Sequence, residues 1–264
     1  MDGIADVFGQ TIALGALVVF WYMTALFVVA LIRRDNGVAD IGWGPGFILL
    51  ALAAFWWYEP YGWRPVILLV LIGIWGLRLG LHILLRNWGR AEDWRYAEAR
   101  ARWGRWWALR SFTHVFLLQG TLMLAVSLPV LWGITFFSVR PLGWLDAVGA
   151  AVWLIGFAWE AIADHQLVRF QKNPANHGRI LQSGLWRFSR HPNYFGELAQ
   201  WWGIWLIVLS VPGGFWTILG PLTITFLITQ ISGVPLAESK YRGNPEFEAY
   251  SRRTSALVPW KPKP

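Results

Sequence analysis

No cysteine occurs anywhere in the 264 residues, which excludes disulfides, thiolate nucleophiles and thiolate-held metals. Charge is scarce as well. Only 14% of residues are charged against 56% apolar, with a mean hydropathy of +0.41, too little polar surface to cover a water-soluble globule of this length. No Gly-x-Gly-x-x-Gly follows a strand pattern, and no P-loop Gly-Lys-Ser/Thr is present, so neither a Rossmann domain nor an NTPase is supported. The histidines, at 82, 114, 165, 177 and 191, lack HExxH or related spacing, which speaks against a metal site. The N-terminal stretch MDGIADVFGQ has no basic region, and its first apolar run is too long for a cleaved signal; a transmembrane helix is expected there.

What remains is hydrophobic and aromatic. Twenty-one Trp stand against 7 Tyr, the composition of a chain whose helix ends repeatedly meet lipid headgroups. A hydrocarbon core of ~30 Å needs roughly 20 helical residues. Apolar runs of about that length predict seven spans, near 11–32, 41–58, 66–85, 112–138, 144–163, 194–211 and 215–236. The fold class is therefore an all-α integral membrane bundle. The connections after the first, third, fifth and seventh spans hold 20 of the 23 Lys and Arg. Arg64 and Arg140 lie on the opposite side, and Arg78 falls inside the third span. Because translocating cations is costly, this bias predicts an outside N-terminus and a cytoplasmic C-terminus. The net charge of +8 is thus assigned to membrane orientation and not to nucleic acid. The segment RNWGRAEDWRYAEARARWGRWWALR, 86–110, alternates Arg with Trp and predicts a helix lying in the interface on anionic membrane lipids. No repeat and no linker divides the chain, so one membrane domain is expected over 1–264, with a substrate-side half at 1–110 and a cofactor-binding half at 111–264. No obligatory protein partner is evident.

The strongest local signal is GLWRFSRHPNYFGE, Gly184 to Glu197, at the start of the sixth span. Pro192 starts a helix there, and His191, Asn193, Tyr194 and Glu197 follow at its mouth. Asn193 and Glu197, four apart, share a helix face. Glu160 and Asp164 are likewise four apart, at the end of the fifth span, where ionisable groups are expensive and usually functional or paired. Between the two clusters run Arg169, Lys172, Arg179, Arg187 and Arg190. Carboxylates able to accept from sugar hydroxyls or an exocyclic amine, beside cations able to pair with phosphates, fit a nucleotide site inside the bundle. Each of these groups also reads singly as a helix cap or an orientation charge.

From about Glu160 to Trp260 the chain resembles the steroid 5-alpha-reductase family, in particular the bacterial members catalogued as a domain of unknown function. The likeness is carried by GLWRFSRHPNYFGE and by the terminal YSRRTSALVPW. Sterol reductases and isoprenylcysteine-type membrane methyltransferases share the arginine-histidine-proline, tyrosine and glycine pattern, so only the combination is specific. The resemblance implies a seven-helix bundle that holds NADPH in a cavity open to the cytosol and reduces a carbon-carbon double bond conjugated to a ketone. It implies that Glu160 and Asp164 serve the adenosine half, Lys172, Arg179 and Arg187 the phosphates, and Asn193 and Glu197 the nicotinamide side, with His191 and Tyr194 beside them. It further implies a cofactor contact for Arg90, within RNWGR, and looser ones for Tyr241 and Arg242, where GNP at 243–245 is an insertion.

Mammalian members have a glutamine-glutamate pair and a tyrosine near the substrate ketone; no such pair is found here. Asp40, in ADIGWGPG, is the one carboxylate in a comparable place, either an interfacial helix cap or, if protonated, the donor to a developing enolate. The catalytic set expected from the sequence is therefore Asp40, Asn193 and Glu197, with a lipophilic enone entering from the bilayer. An S-adenosylmethionine-dependent membrane methyltransferase and a non-enzymatic lipid binder are the alternatives. The first has no need of a phosphate-binding set, and the second leaves Glu160 and Asp164 without a purpose.

Overall fold

A computed structural model describes residues 2–136 and 141–263. Arg140 and the end of the expected fourth span lie outside the described residues. No strand occurs among the described residues, as lipid requires of backbone that must satisfy its own hydrogen bonds.

Two compact units form, Met1–Leu142 with Val208–Gly220, and Gly143–Ile207 with Pro221–Pro264. The first begins with α1 (Asp2–Arg33), α2 (Val38–Tyr58) and α3 (Trp63–Asn87). Helix α2 carries Gly42, Gly44, Pro45 and Gly46, and these small residues set its packing. A Cβ on Gly44 would stand 2.4 Å from the Gly76 carbonyl of α3, and one on Gly80 would stand 2.9 Å from the Pro45 ring. Backbone-to-backbone approach through small residues is how apolar helices associate when lipid cancels any hydrophobic drive. Several tryptophans at helix ends, Trp56, Trp57, Trp63 and Trp88, stay exposed.

After α3 come α4 (Trp94–Trp103), α5 (Trp107–Ser111), a π-helical turn at Phe112–Leu117, α6 (Leu118–Val126) and α7 (Leu128–Thr135). Part of the segment expected to lie in the interface is tied into this unit. Arg95 pairs with Asp40 at 3.0 Å and Asp93 at 2.8 Å, while Arg100 pairs with Glu92 at 2.7 Å and stacks on Trp107. These arginines spend their charge on protein carboxylates, which a pattern of Arg and Trp along the chain does not reveal. Asp93 also caps α4, accepting from the Arg95 backbone N–H at 3.0 Å. Burial pushes the Asp93 carboxyl up, but the Arg95 hydrogen bonds outweigh burial and hold it below its ordinary value. A depressed carboxyl contributes stability above its unfolded value and loses it as pH falls through the folded one, so this cap weakens in acid.

The second unit contains α8 (Trp144–Lys172), α9 (Pro192–Val208), α10 (Leu219–Phe226), α11 (Val234–Ser239) and α12 (Pro245–Arg253). Helices α8 and α9 meet along glycines one heptad apart on each. A Cβ on Gly156 would be 2.6 Å from the Gly196 carbonyl, and one on Gly149 would be 2.6 Å from that of Gly203. The pairing of 149 with 203 and 156 with 196 makes the helices antiparallel.

Among the described residues, six helical stretches are long and apolar enough to cross a membrane: Ile4–Arg33, Val38–Tyr58, Trp63–Asn87, Trp94–Val126, Trp144–Lys172 and Gly214–Ser239. The expected sixth span corresponds to α9, which has 17 residues. At 1.5 Å per residue it is about 25 Å long, short of a ~30 Å core. The expected fourth span begins earlier than its hydropathy suggested, because α4 and α5 lead directly into α6.

Candidate functional sites in the two units

In the second unit the glycine seam brings carboxylates and amides together. Asn193 opens α9 and donates through Nδ2 to Asp164 Oδ1 at 3.2 Å. Two turns on, Gln200 donates through Nε2 to Glu160 Oε2 at 2.6 Å. Glu160 and Asp164 are 2% and 7% exposed, and these amide donors offset part of the cost of burying their carboxylates. Asn193 Oδ1 and Gln200 Oε1 are buried and without partners among the described residues. Glu197 lies half-buried between them on α9. Two buried carboxylates and two acceptor oxygens therefore line one seam, a set suited to hydroxyl or amine donors on a ligand.

The following loop supplies cations. Lys172 ends α8, and Arg169, Lys172, Arg179 and Arg187 are exposed. None of the described contacts joins these four to the carboxylates. Trp186 donates to the Ala163 carbonyl of α8 at 3.1 Å, which anchors the loop's return.

The RFSRHP stretch does something the sequence did not suggest: it holds the C-terminal tail. Ser189 donates to the Leu257 carbonyl at 2.7 Å, and Arg190 donates to Thr254 O at 2.7 Å. The Phe188 carbonyl accepts from Trp260 N–H at 2.9 Å. Arg190 and His191 both reach Glu238 of α11, at 2.8 and 2.9 Å, and Tyr194 stacks on the His191 ring. Tyr250 of α12 donates to the Trp186 carbonyl, and burial pushes its phenol up from the ordinary value. His191 and Arg190 thus act as struts for α11 and the tail. Glu238, their shared acceptor, carries no sequence motif that announces it. Tyr241 stacks on Phe247 under Lys240, and Arg242 is exposed. The GNP insertion works as a turn and a cap: Gly243 takes φ +77°, and Asn244 accepts from Glu246 and Phe247 N–H to start α12.

In the first unit Asp40 sits in the first turn of α2 without capping it. Its carboxylate reaches across to α4, accepting from Arg95 at 3.0 Å and from the Tyr96 hydroxyl at 2.7 Å. Gln119 of α6 donates to Tyr96 Oη at 3.2 Å and approaches Asp40 Oδ1 at 3.4 Å. Asp40 accepts in each of these bonds. Arg95, Tyr96 and Gln119 were not singled out in the sequence, since each reads as part of an amphipathic or apolar run. Arg90 is exposed in the turn after α3.

Comparisons with known proteins agree with the resemblance read from the motifs. The chain is similar to 3-oxo-5-alpha-steroid 4-dehydrogenase 1 of Rattus norvegicus, 29% identical over 113 residues, or 42% of this chain and 40% of that protein. The Mus musculus protein of the same name is 29% identical over 113 residues, covering 42% and 41%. The Bos taurus protein is 28% identical, covering 42% and 40%. The matched stretch thus spans about two fifths of the length of these curated relatives. No solved structure matches the chain. A family model described as protein of unknown function (DUF1295) matches residues 26–254, and with that much of its length inside the match the chain belongs to the DUF1295 family.

Proposed function

We propose that this protein reduces the carbon-carbon double bond of a lipophilic enone, such as a 3-oxo-4-ene steroid, using NADPH. It does so in a bacterial cytoplasmic membrane with its nucleotide site toward the cytoplasm. The observation that carries the reading is the seam of α8 and α9, where Asp164 and Glu160 are fixed by Asn193 and Gln200 while two buried amide oxygens await donors. That donor set fits a dinucleotide. Glu160 and Asp164 accept from hydroxyl or amine groups of the adenosine half, and Asn193 and Glu197 serve the nicotinamide side. Arg169, Lys172, Arg179 and Arg187 pair with phosphates, a need that S-adenosylmethionine does not have. When bound, NADPH supplies the hydride for the beta carbon of the enone.

The reading as a whole is tested by purifying the protein in detergent and identifying the nucleotide that comes with it by absorbance and mass spectrometry. NADPH or NADP+ is the expected result. S-adenosylmethionine or S-adenosylhomocysteine in its place would make the protein a methyltransferase.

A further inference from the structure

Gln200 stands inside an apolar span and was not singled out in the sequence, yet it is held at two points in the α8–α9 seam. It is 1% exposed, and its Nε2 donates both to Glu160 Oε2 at 2.6 Å and to the Gly196 carbonyl at 3.2 Å. Both partners are acceptors, so the amide has one permitted orientation: turned over, its oxygen would face a carboxylate and a carbonyl. Gln200 lies seven residues after Asn193 on the same helix, and Glu160 lies four before Asp164 on the antiparallel one. The two amide–carboxylate pairs are therefore successive rungs of one ladder, and Gly196, between Asn193 and Gln200 on α9, packs directly against the Glu160 backbone.

We infer that Gln200 is a positioning residue for the cofactor: it fixes the Glu160 carboxylate in the orientation that accepts from the adenosine half, as Asn193 does for Asp164. The inference rests on the dinucleotide reading above. A neutral amide suits this task. It supplies a donor without neutralising the carboxylate, so the negative charge remains on α8 to attract hydroxyl or amine hydrogens.

A purely structural pair would behave differently, because the amide–carboxylate bond between the helices survives exchange of its ends, with only the bond to the Gly196 carbonyl lost. The experiment uses the full-length protein in detergent and measures NADPH affinity by titration, thermal stability, and kcat and KM with a 3-oxo-4-ene steroid. Gln200→Leu is expected to weaken NADPH binding by about tenfold or more, with kcat at saturating NADPH within about twofold of wild type. The exchanged pair, Glu160→Gln with Gln200→Glu, keeps the bond between the helices and is expected to be more thermally stable than Gln200→Leu while NADPH affinity stays at least about tenfold weak. An exchanged variant that recovers affinity together with stability would show that Gln200 merely packs the seam, as would a Gln200→Leu variant with wild-type affinity. Wild-type protein that binds no NADPH would overturn the dinucleotide reading, and the inference with it. Wild-type protein that binds NADPH while the exchanged variant binds equally well overturns the inference alone.

Discussion

Gly196→Leu is expected to yield no monodisperse folded protein, and the geometry of the seam explains why. A Cβ at this position would lie 2.5 Å from the Gly156 carbonyl, 2.6 Å from the Glu160 amide nitrogen and 2.8 Å from the Glu160 Cβ. Two of these are backbone atoms, which cannot rotate aside as the end of a flexible side chain can. The helices would have to separate, and that separation pulls Asn193 from Asp164 and Gln200 from Glu160. Overpacking costs roughly 1–3 kcal/mol, and the loss of both cross-helix bonds together with the packing along the seam adds to it, against a total of about 5–15 kcal/mol for a typical domain. Gly73→Leu in α3 is the control, because nothing lies within 4 Å of a Cβ there. Size-exclusion profiles in detergent distinguish the two, and a Gly196→Leu protein that elutes and melts like wild type would mean that the helices do not approach as closely as described.

Asn193→Ala and Glu197→Ala are expected to remain folded yet to lose turnover of a 3-oxo-4-ene steroid by at least about 100-fold. Alanine at 193 removes the 3.2 Å bond that fixes Asp164, together with the buried Oδ1 left for a ligand. Both positions lie in the first two turns of α9, on a helix anchored by its glycines and not by these side chains, so folding should survive their truncation. Steady-state assays with NADPH provide the measurement. Full activity in both variants would take them out of the site.

How far the sequence carried these assignments depended on whether a feature was local. The helices followed from apolar runs, since lipid leaves a spanning chain little choice. The Asp164–Asn193 contact was foreshadowed because each member stood in a recognisable cluster. Gln200 was missed because one amide in an apolar stretch has no local signature; only the antiparallel seam places it against Glu160. The same holds for the partners of Asp40. A glutamine, a carboxylate and a tyrosine do come together in this chain, but from α6, α2 and α4, with no adjacent pair to recognise. Arg190 and His191 illustrate the opposite case. Their motif was conspicuous, yet the contacts they make hold Glu238 and the tail, because a motif does not say which of its members face a ligand and which brace the fold.

Hydride delivery from NADPH to the enone is open to direct test by isotope transfer. Incubation of the purified protein with NADPH deuterated at the nicotinamide C4 and a 3-oxo-4-ene steroid, followed by mass spectrometry of the steroid, should show one deuterium at the beta carbon of a product two hydrogens heavier. Steroid recovered with its double bond and without deuterium, while the protein still binds NADPH, would contradict it.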